Sequence, residues 1–547
     1  MHERRYTASS GYQKGNRMQA YDYIVVGAGS AGSVVASRLS EEPSARVLLI
    51  EAGGSHKHLN VQIPAAFAKQ FKTQLDWEFY TEPEPFLDGR SLYYPRGKML
   101  GGCSSMNAMI YIRGNHDDFD SWAKNGAPGW SYEDVLPYFR RSEANSRGES
   151  TYHGGSGPLH IQDLRSPNHL SHTLVQAMVA SGLRRNDDFN GADQTGAGFY
   201  QVCQKRGRRW TTADAFLEPA RRRPNLTILT QTHVLGVRIS GGRAAGVEVE
   251  RQGSREFVRA EREVVLSAGA LNTPQILMLS GIGPADHLAE HEIPTIVDNP
   301  NVGAHLMDHP VYIANFETYA TGTLAEAESP RQLIDWFVRH RGMLTSNVAE
   351  CGAFFHTRSG EAAPDMQLLA APVFFRNHGF DTHERPAFTL ACSLVAPHSR
   401  GAVRLRSSDP KAKVATTYNF LAEQADMDAM MAALPQIGEI AAAKPLRGVI
   451  GREIRLGPAA HTRAELEQKV RREASHTYHS ACSARIGTEQ DGVVDPQLRV
   501  YGVDGLRVAD ASVFPTVTHG NTHAPSVMVG EKAADLIRGL LKNEYTP

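Results

Sequence analysis

Residues 21–54 read YDYIVVGAGSAGSVVASRLSEEPSARVLLIEAGG, and the reading of this stretch decides the fold. Tyr23 to Val26 is a short, β-branched, continuously apolar run, as a strand buried on both faces requires. Gly27-x-Gly29-x-x-Gly32 then turns the chain into a helix from Ser33 to Leu39, where Val34, Val35, Ala36 and Leu39 offer an apolar surface to a sheet. A second buried strand, Val47 to Ile50, ends on Glu51, 19 residues after Gly32. Each part has a mechanical reason. Gly27 makes the turn, Gly29 lets backbone N–H groups approach a pyrophosphate, and Gly32 admits close packing of helix on strand. The helix N-terminus favours the anion, and Glu51 can accept hydrogen bonds from a ribose. These features together predict a dinucleotide-binding βαβ unit, against the plainer alternative of a glycine turn that serves packing alone. This segment does not decide between FAD and NAD.

Outward from that unit, the composition sets limits. The chain has 547 residues, with 58 Lys and Arg against 59 Asp and Glu, for a net charge of −1. At roughly 100–200 residues per domain this suggests two to four lobes. A near-zero charge excludes a general nucleic-acid binder, which needs a surplus of cations on one face. The five cysteines (Cys103, Cys203, Cys351, Cys392 and Cys482) are scattered and never spaced C-x-x-C. That argues against a disulfide framework or a thiolate zinc site, and for a reducing, cytoplasmic location. Residues 1–20 are polar and read as a flexible leader, and no run approaches the ~18 apolar residues of a membrane span.

A second glycine cluster, PRGKMLGGCSSMNAMIYIRG at Pro95–Gly114, combines Gly101-Gly102 with small donors and then runs into apolar residues. Such a loop lets main chain lie flat against a planar ligand; the alternative is a tight turn before a capped helix. Residues 227–250 alternate around a Gly-Gly turn, as a β-meander would. Glu263–Ala268 reads as a buried strand, with a helix opening near Pro274.

In these segments the chain resembles the glucose-methanol-choline family of FAD-dependent oxidoreductases. The resemblance is carried by the fingerprint, the Pro95–Gly114 loop, GALNTPQILMLSGIGP at Gly269–Pro284, and the end YHSACSARIG, VVDPQLRVYGVDGLRVADASVFP and GNTHAPSVMVGEKAADLI. It is collinear from about Tyr21 to Leu541 and is closest in layout to bacterial alcohol dehydrogenases and choline-dehydrogenase-like members.

The resemblance implies an α/β chain in which a Rossmann-like FAD-binding domain (residues 21–160, 200–310 and 475–547) is interwoven with a discontinuous α+β substrate domain (161–199 and 311–474). That second domain would be an antiparallel sheet with helices. It implies FAD contacts from Gly27, Gly29, Ser30, Ala31, Gly32, Glu51 and Ala52, from Gly101, Gly102, Ser105, Asn107 and Ala108, from the Val234 backbone, and from Asp510, Ala511, Asn521 and Thr522. Where some members tether FAD through a histidine, this chain has Met106, so the FAD is expected to be non-covalent.

Four histidines gather near the C-terminus, His476 and His479 as H-x-x-H, then His519 and His523. A four-imidazole metal site is disfavoured, because Gly520, Asn521 and Pro525 interrupt the second pair, and no metal is expected. The resemblance instead assigns catalysis to His479 and His523: His479 removes the hydroxyl proton while hydride passes to flavin N5, and His523 orients the substrate oxygen. Many members have a proline after the first histidine; Ser480 stands there, which predicts a looser turn.

Glu350 is read as a cationic-head-group binder or a turn cap, and Phe374, with Phe354, Phe355 and Phe375, as pocket lining or plain core. Without a visible Trp/Tyr cage around an acid, choline is not favoured as substrate. The reading is oxidation of a primary alcohol to an aldehyde, with O2 or a quinone or protein as electron acceptor. It is compatible with peripheral membrane association and leaves the oligomeric state open. The rivals are a flavin-containing lyase without net redox, a non-catalytic flavin binder and a nicotinamide dehydrogenase.

Overall fold

The computed structural model describes residues 20–358, 360–454 and 462–540. The predicted leader lies outside these except for Ala20, as do residues 541–547 of the expected FAD domain. The chain enters through β1 (Ala20–Val26), α1 (Gly32–Leu39) and β2 (Val47–Ile50), and contributes β3 (Gly196–Phe199) to a second sheet. It returns through β4 (Leu226–Leu229), β5 (Thr232–Ser240), β6 (Arg243–Arg251), β7 (Ser254–Leu266) and α2 (Gly269–Leu279). Most of the second sheet comes next in the chain: β8 (Pro310–Thr318), β9 (Cys351–Phe355), β10 (Met366–Ala371), β11 (Ala387–Leu394), β12 (Ile450–Glu453) and β13 (Ser475–His476). The chain then closes with β14 (Leu506–Val508) and α3 (His523–Arg538).

The first sheet runs β4-β2-β1-β7-β6-β5, with β14 also paired to β7. Strands β4, β2, β1, β7 and β14 are parallel, and the register aligns Val26 with both Ile50 and Leu266, and Leu266 with Val508. Their carboxyl ends therefore form one edge, from which Gly27, Glu51, Ser267 and Ala509 emerge together. Such an edge is where open α/β sheets bind ligands. Residues Tyr23 to Val26 and Val47 to Ile50 are all buried, as continuous apolar runs in a parallel sheet must be. The β5–β6 hairpin turns on Gly241 and Gly242, both at positive φ (59° and 76°), as a tight two-residue hairpin requires.

Boundaries differ from the sequence reading around the return to the first sheet: the run read as a strand at Glu263–Ala268 is the end of β7, which starts at Ser254 and stops at Leu266. Helix α2 starts at Gly269 and holds Pro274 inside it. The proline leaves the Ala270 carbonyl without its helical partner, and the Ser483 hydroxyl donates to that oxygen at 2.6 Å.

The second sheet, β12-β8-β11-β10-β9-β3 with β13 also on β8, is antiparallel throughout. One continuous buried apolar cluster joins both sheets. Pairing of Pro310 with His476 brings His309, just before β8, against the Thr477–His479 segment just after β13, and so sets two distant histidines side by side. Among the described residues no helix is long and apolar enough to cross a membrane.

Candidate functional site

A cavity of about 1030 Å³ opens between the carboxyl edge of the parallel sheet and the antiparallel sheet. At the parallel edge Gly27, Gly29, Ser30, Ala31, Glu51 and Ala52 line it. A Cβ on Gly27 would lie 2.4 Å from the Ser267 carbonyl oxygen, and one on Gly32 only 1.9 Å from the Gly27 carbonyl oxygen. Gly29 is different: a Cβ there would meet nothing within 4 Å and would project into open space. Two of the fingerprint glycines thus close the turn while the middle one keeps a path clear to the backbone. Helices α1 and α3 both begin on the wall, and neither Ala31 nor Thr522 caps its helix with a side chain; Ser33 and Val34 donate to backbone carbonyls and Pro525 has no N–H, which leaves the N–H groups of Gly32, His523 and Ala524 for an anion.

Glu51 is buried, with Oε2 accepting from the Ala28 N–H (3.0 Å) and Oε1 from the Gly53 N–H (2.8 Å). Burial outweighs those two bonds and pushes its carboxyl up to about 7. Val234, Gly102, Asn107, Ala108, Asp510 and Ala511 complete this part of the wall. The Asn107 Oδ1 accepts from Arg209 at 2.9 Å and from the Met109 N–H at 3.0 Å. Asp510 ties the segments together, accepting from the Gly269 N–H (2.8 Å), the Thr273 hydroxyl (2.7 Å) and the Ser512 N–H (2.8 Å). Glycine clearances, uncapped helix ends and a buried acceptor at the end of β2 make a cradle that suits a dinucleotide.

At the other end stand His479, Asn521 and His523. The Asn521 amide Nδ2 donates to His479 Nε2 at 3.1 Å, so Nε2 carries the lone pair. The ring proton then sits on Nδ1, where the Thr477 hydroxyl (2.9 Å) and His309 Nδ1 (3.0 Å) accept it. Burial, with the positive charge of Arg96 adding to it, pushes His479 down to about 3. Ser30 Oγ lies 2.9 Å from His523 Nδ1, whereas His523 Nε2 is buried with no hydrogen-bond partner in the protein. Burial, and second to it Arg209, takes His523 down to about 4. Both imidazoles are therefore neutral; His523 Nε2 is left for something held in the cavity, and His479 Nε2 is held by the Asn521 amide.

The turn at His479 is firmer than its missing proline predicts. Tyr478 takes φ 68°, its carbonyl accepts from Arg96 at 2.6 Å, and the His479 N–H donates to Asp308 at 2.8 Å. Ser480 Oγ bonds Arg96 (2.9 Å) and the Tyr418 hydroxyl (2.6 Å). Lateral hydrogen bonds hold the turn where a proline would have stiffened it.

Several predicted residues sit off the wall. Gly32, Gly101 and Ser105 shape the turns behind it, with Gly101 at φ 85° and Ser105 donating to the Leu100 carbonyl at 2.8 Å. Glu350 does not reach the cavity: fully buried, it accepts from the Asn168 N–H (2.7 Å) and the Ser346 hydroxyl (2.6 Å), which suits a structural anchor. Phe374 turns away to stack on His383 (centroids 5.3 Å apart), and its neighbour Phe375 lines the cavity instead. His476 bonds the Tyr93 carbonyl at 2.9 Å, and His519 pairs with Asp118 at 2.6 Å, so the four C-terminal histidines do not converge.

The sequence reading missed Asp308, His309, Arg96 and Arg209. An acid-histidine pair directly before a strand-opening proline, Asp308-His309-Pro310, was the available signal. Potential metal-ligating atoms of Asp308, His309 and His479 lie within 4.8 Å of one another. The two imidazoles bond each other, and Asp308 accepts from the Tyr94 hydroxyl (2.6 Å) and the His309 N–H (2.6 Å), so hydrogen bonds within the protein already engage all three groups.

Comparison with known proteins accords with this geometry. Models of the GMC oxidoreductase family match residues 21–311 and 397–530. A GMC-type oxidoreductase of Mycobacterium tuberculosis is 46% identical over 94% of this chain and 99% of its own. The oxygen-dependent choline dehydrogenase of Sinorhizobium fredii is 41% identical over 95% of this chain and 96% of its own. Among solved structures, pyridoxine 4-oxidase from Mesorbium loti superposes with a TM-score of 0.86 at 30% identity, covering 94% of this chain and 98% of that one.

Proposed function

The chain belongs to the GMC oxidoreductase family, and from that premise we propose that it binds FAD non-covalently in the cradle and oxidises a primary alcohol to an aldehyde, with His479 as general base. The observation that carries this reading is the pair of neutral imidazoles on one cavity wall, with His523 Nε2 buried without a protein partner and His479 Nε2 bonded to the Asn521 amide, which a substrate hydroxyl would replace. The cradle fits FAD through its glycine clearances and uncapped helix ends. Met106, a thioether on the cavity wall, offers no imidazole for a covalent tether. Bound there, FAD supplies the acceptor for the hydride that leaves the alcohol carbon.

The protein's part is to manage the proton. His479 Nε2 receives the hydroxyl proton once the substrate hydroxyl replaces the Asn521 amide there, and the Nδ1–H, already held by Thr477 and His309, keeps the ring oriented while charge develops on it. In the tautomer that serves the reaction, Ser30 Oγ would donate to His523 Nδ1, 2.9 Å away, and the ring proton on Nε2 would be donated to the substrate oxygen. Electrons leave to O2 or to a quinone or protein acceptor. Five free cysteines fit a reducing, cytoplasmic setting.

The test is anaerobic mixing of the yellow holoprotein with a panel of aliphatic, aryl and amino alcohols, and then with O2 or a quinone. Bleaching of the flavin by at least one alcohol is expected, with about 10²–10⁴-fold slower bleaching in His479→Ala. Aldehyde release without bleaching identifies a lyase instead, and an unaltered rate in His479→Ala removes the general base.

A further inference from the structure

The cavity reaches its substrate end through a series of aromatic rings. Tyr478, the residue before His479, lies 6.2 Å from Phe71 between ring centroids, and Phe71 lies 6.2 Å from Tyr93 and 6.4 Å from Phe380. Ring faces in this arrangement are what a quaternary ammonium group seeks. Here they are already taken by a cation of the protein itself. Lys72 Nζ sits 5.0 Å from the centroid of Tyr93, 5.0 Å from that of Phe380 and 5.8 Å from that of Tyr80.

The local backbone is built to hold it there. Lys72 adopts φ 55°, uncommon for a residue with a side chain, and its N–H donates both to Asp76 Oδ2 and to the Tyr93 hydroxyl oxygen at 3.0 Å. The Tyr93 hydroxyl donates in turn to the same Asp76 carboxylate, so the lysine backbone and the ring under its ammonium share one anchor. Among the described residues no carboxylate forms an ion pair with Lys72.

Acids that could welcome a cation are otherwise engaged. Asp381 is bound by Arg376 (3.3 Å) and Asn377 (3.0 Å), Glu473 receives the Tyr312 hydroxyl (3.4 Å), and Glu350 lies off the wall. The field of Lys72 is felt along the passage: added to burial, it helps push His378, which bonds the Tyr478 hydroxyl at 2.7 Å, down to about 4.

We infer that Lys72 is a specificity residue of the substrate passage, which turns away alcohols with a cationic far end, choline included, and favours those whose far end is neutral. The inference rests on the alcohol oxidation proposed above and names its substrate class. Choline and 3,3-dimethylbutan-1-ol, equal in shape and unequal in charge, test it on the holoenzyme. In the native protein kcat/KM should favour the neutral alcohol by about 10-fold or more, mainly through KM, and added salt should narrow the ratio. Lys72→Met should shift the ratio toward choline by about tenfold, whereas Lys72→Arg should keep it. Equal use of the two alcohols by the native protein, or an unchanged ratio in Lys72→Met, overturns the inference. If neither alcohol is turned over, the alcohol panel described above decides the reading of function separately, and equilibrium binding of this pair, monitored by flavin absorbance, still reports the charge preference. Absence of binding by both in every variant overturns the inference too.

Discussion

The two histidines of the site differ in how they are held, and the difference predicts different losses. His479 is braced on Nδ1 by Thr477 and His309, on Nε2 by Asn521 and on its N–H by Asp308, whereas among the described residues the His523 ring has one hydrogen bond, to Ser30. Replacing His523 by Asn restores a donor near the substrate oxygen, while Ala leaves none. The flavin reduction rate measured anaerobically should therefore fall about tenfold in His523→Asn and about 10²–10³-fold in His523→Ala. Equal losses would show that the hydrogen bond to the substrate is not what this residue provides. The C-terminal histidines were visible in the sequence as a cluster, and the resemblance singled out His479 and His523, but the partners of each ring were not legible. His476 and His519 are absorbed by a backbone carbonyl and an aspartate, and the partner His479 does use, His309, stands 170 positions earlier. Only the pairing of β8 with β13 brings those two rings together, and long-range pairing leaves little local trace.

Among the elements, the fingerprint unit was legible because its constraints are local. Strands β1 and β2 are buried on both faces, so their apolar runs are unbroken, and the closest limit on Gly32 is the Gly27 carbonyl five residues earlier, although the limit on Gly27 itself comes from Ser267. The Gly101-Gly102 loop was ambiguous, since its reason lies in another element: a Cβ on Gly102 would come within 2.8 Å of the Gly29 Cα. That contact gives a test. Gly102→Ala adds both a strained backbone at φ 49° and a clash with the fingerprint turn, so the purified protein should carry much less flavin per chain by absorbance. Gly89→Ala serves as the comparison, because Gly89 also has positive φ (68°) but open space around it. It should cost about 1 kcal/mol of stability from the backbone alone and leave the flavin content intact. A like loss of flavin in both would mean that backbone strain, and not the contact between loop and turn, controls the cradle.

For the whole molecule, interleaving two sheets around one cavity places many titratable groups out of reach of water, and pH should act on the fold through them. The sequence showed an α/β fold with a second, antiparallel sheet through family resemblance. Which of its 23 histidines are buried depends on how the sheets meet, and that was not legible. Burial holds His309, His378, His476, His479 and His523 well below their ordinary range. The unfolded chain takes up protons at these rings below about pH 6.5 while the folded protein does not, so they lower stability as pH falls from there toward 4. Burial also raises Glu51 and Glu84 to about 7, Asp308 to about 6, and Glu350 above its ordinary range. Those carboxyls act in the opposite sense, since the folded protein keeps protons that the unfolded chain has released above about pH 4.5. Among the buried groups the imidazoles exceed the carboxyls, so the melting temperature should decline between pH 6.5 and 4.5, by about 1.4 kcal/mol of stability per pH unit for each proton of excess. His153 works on the alkaline side: bonds to Asp188 and Glu143 overcome burial and raise it to about 9, so its stabilisation is complete below pH 6.5 and lost as pH rises through 9. A thermal-shift series from pH 4.5 to 10 should peak between about 6.5 and 8, and His153→Gln should flatten only the alkaline limb. A melting temperature that rises steadily toward pH 4.5 would mean that the buried carboxyls outweigh the imidazoles, and that the cavity histidines are better hydrated than the packing of the two sheets indicates.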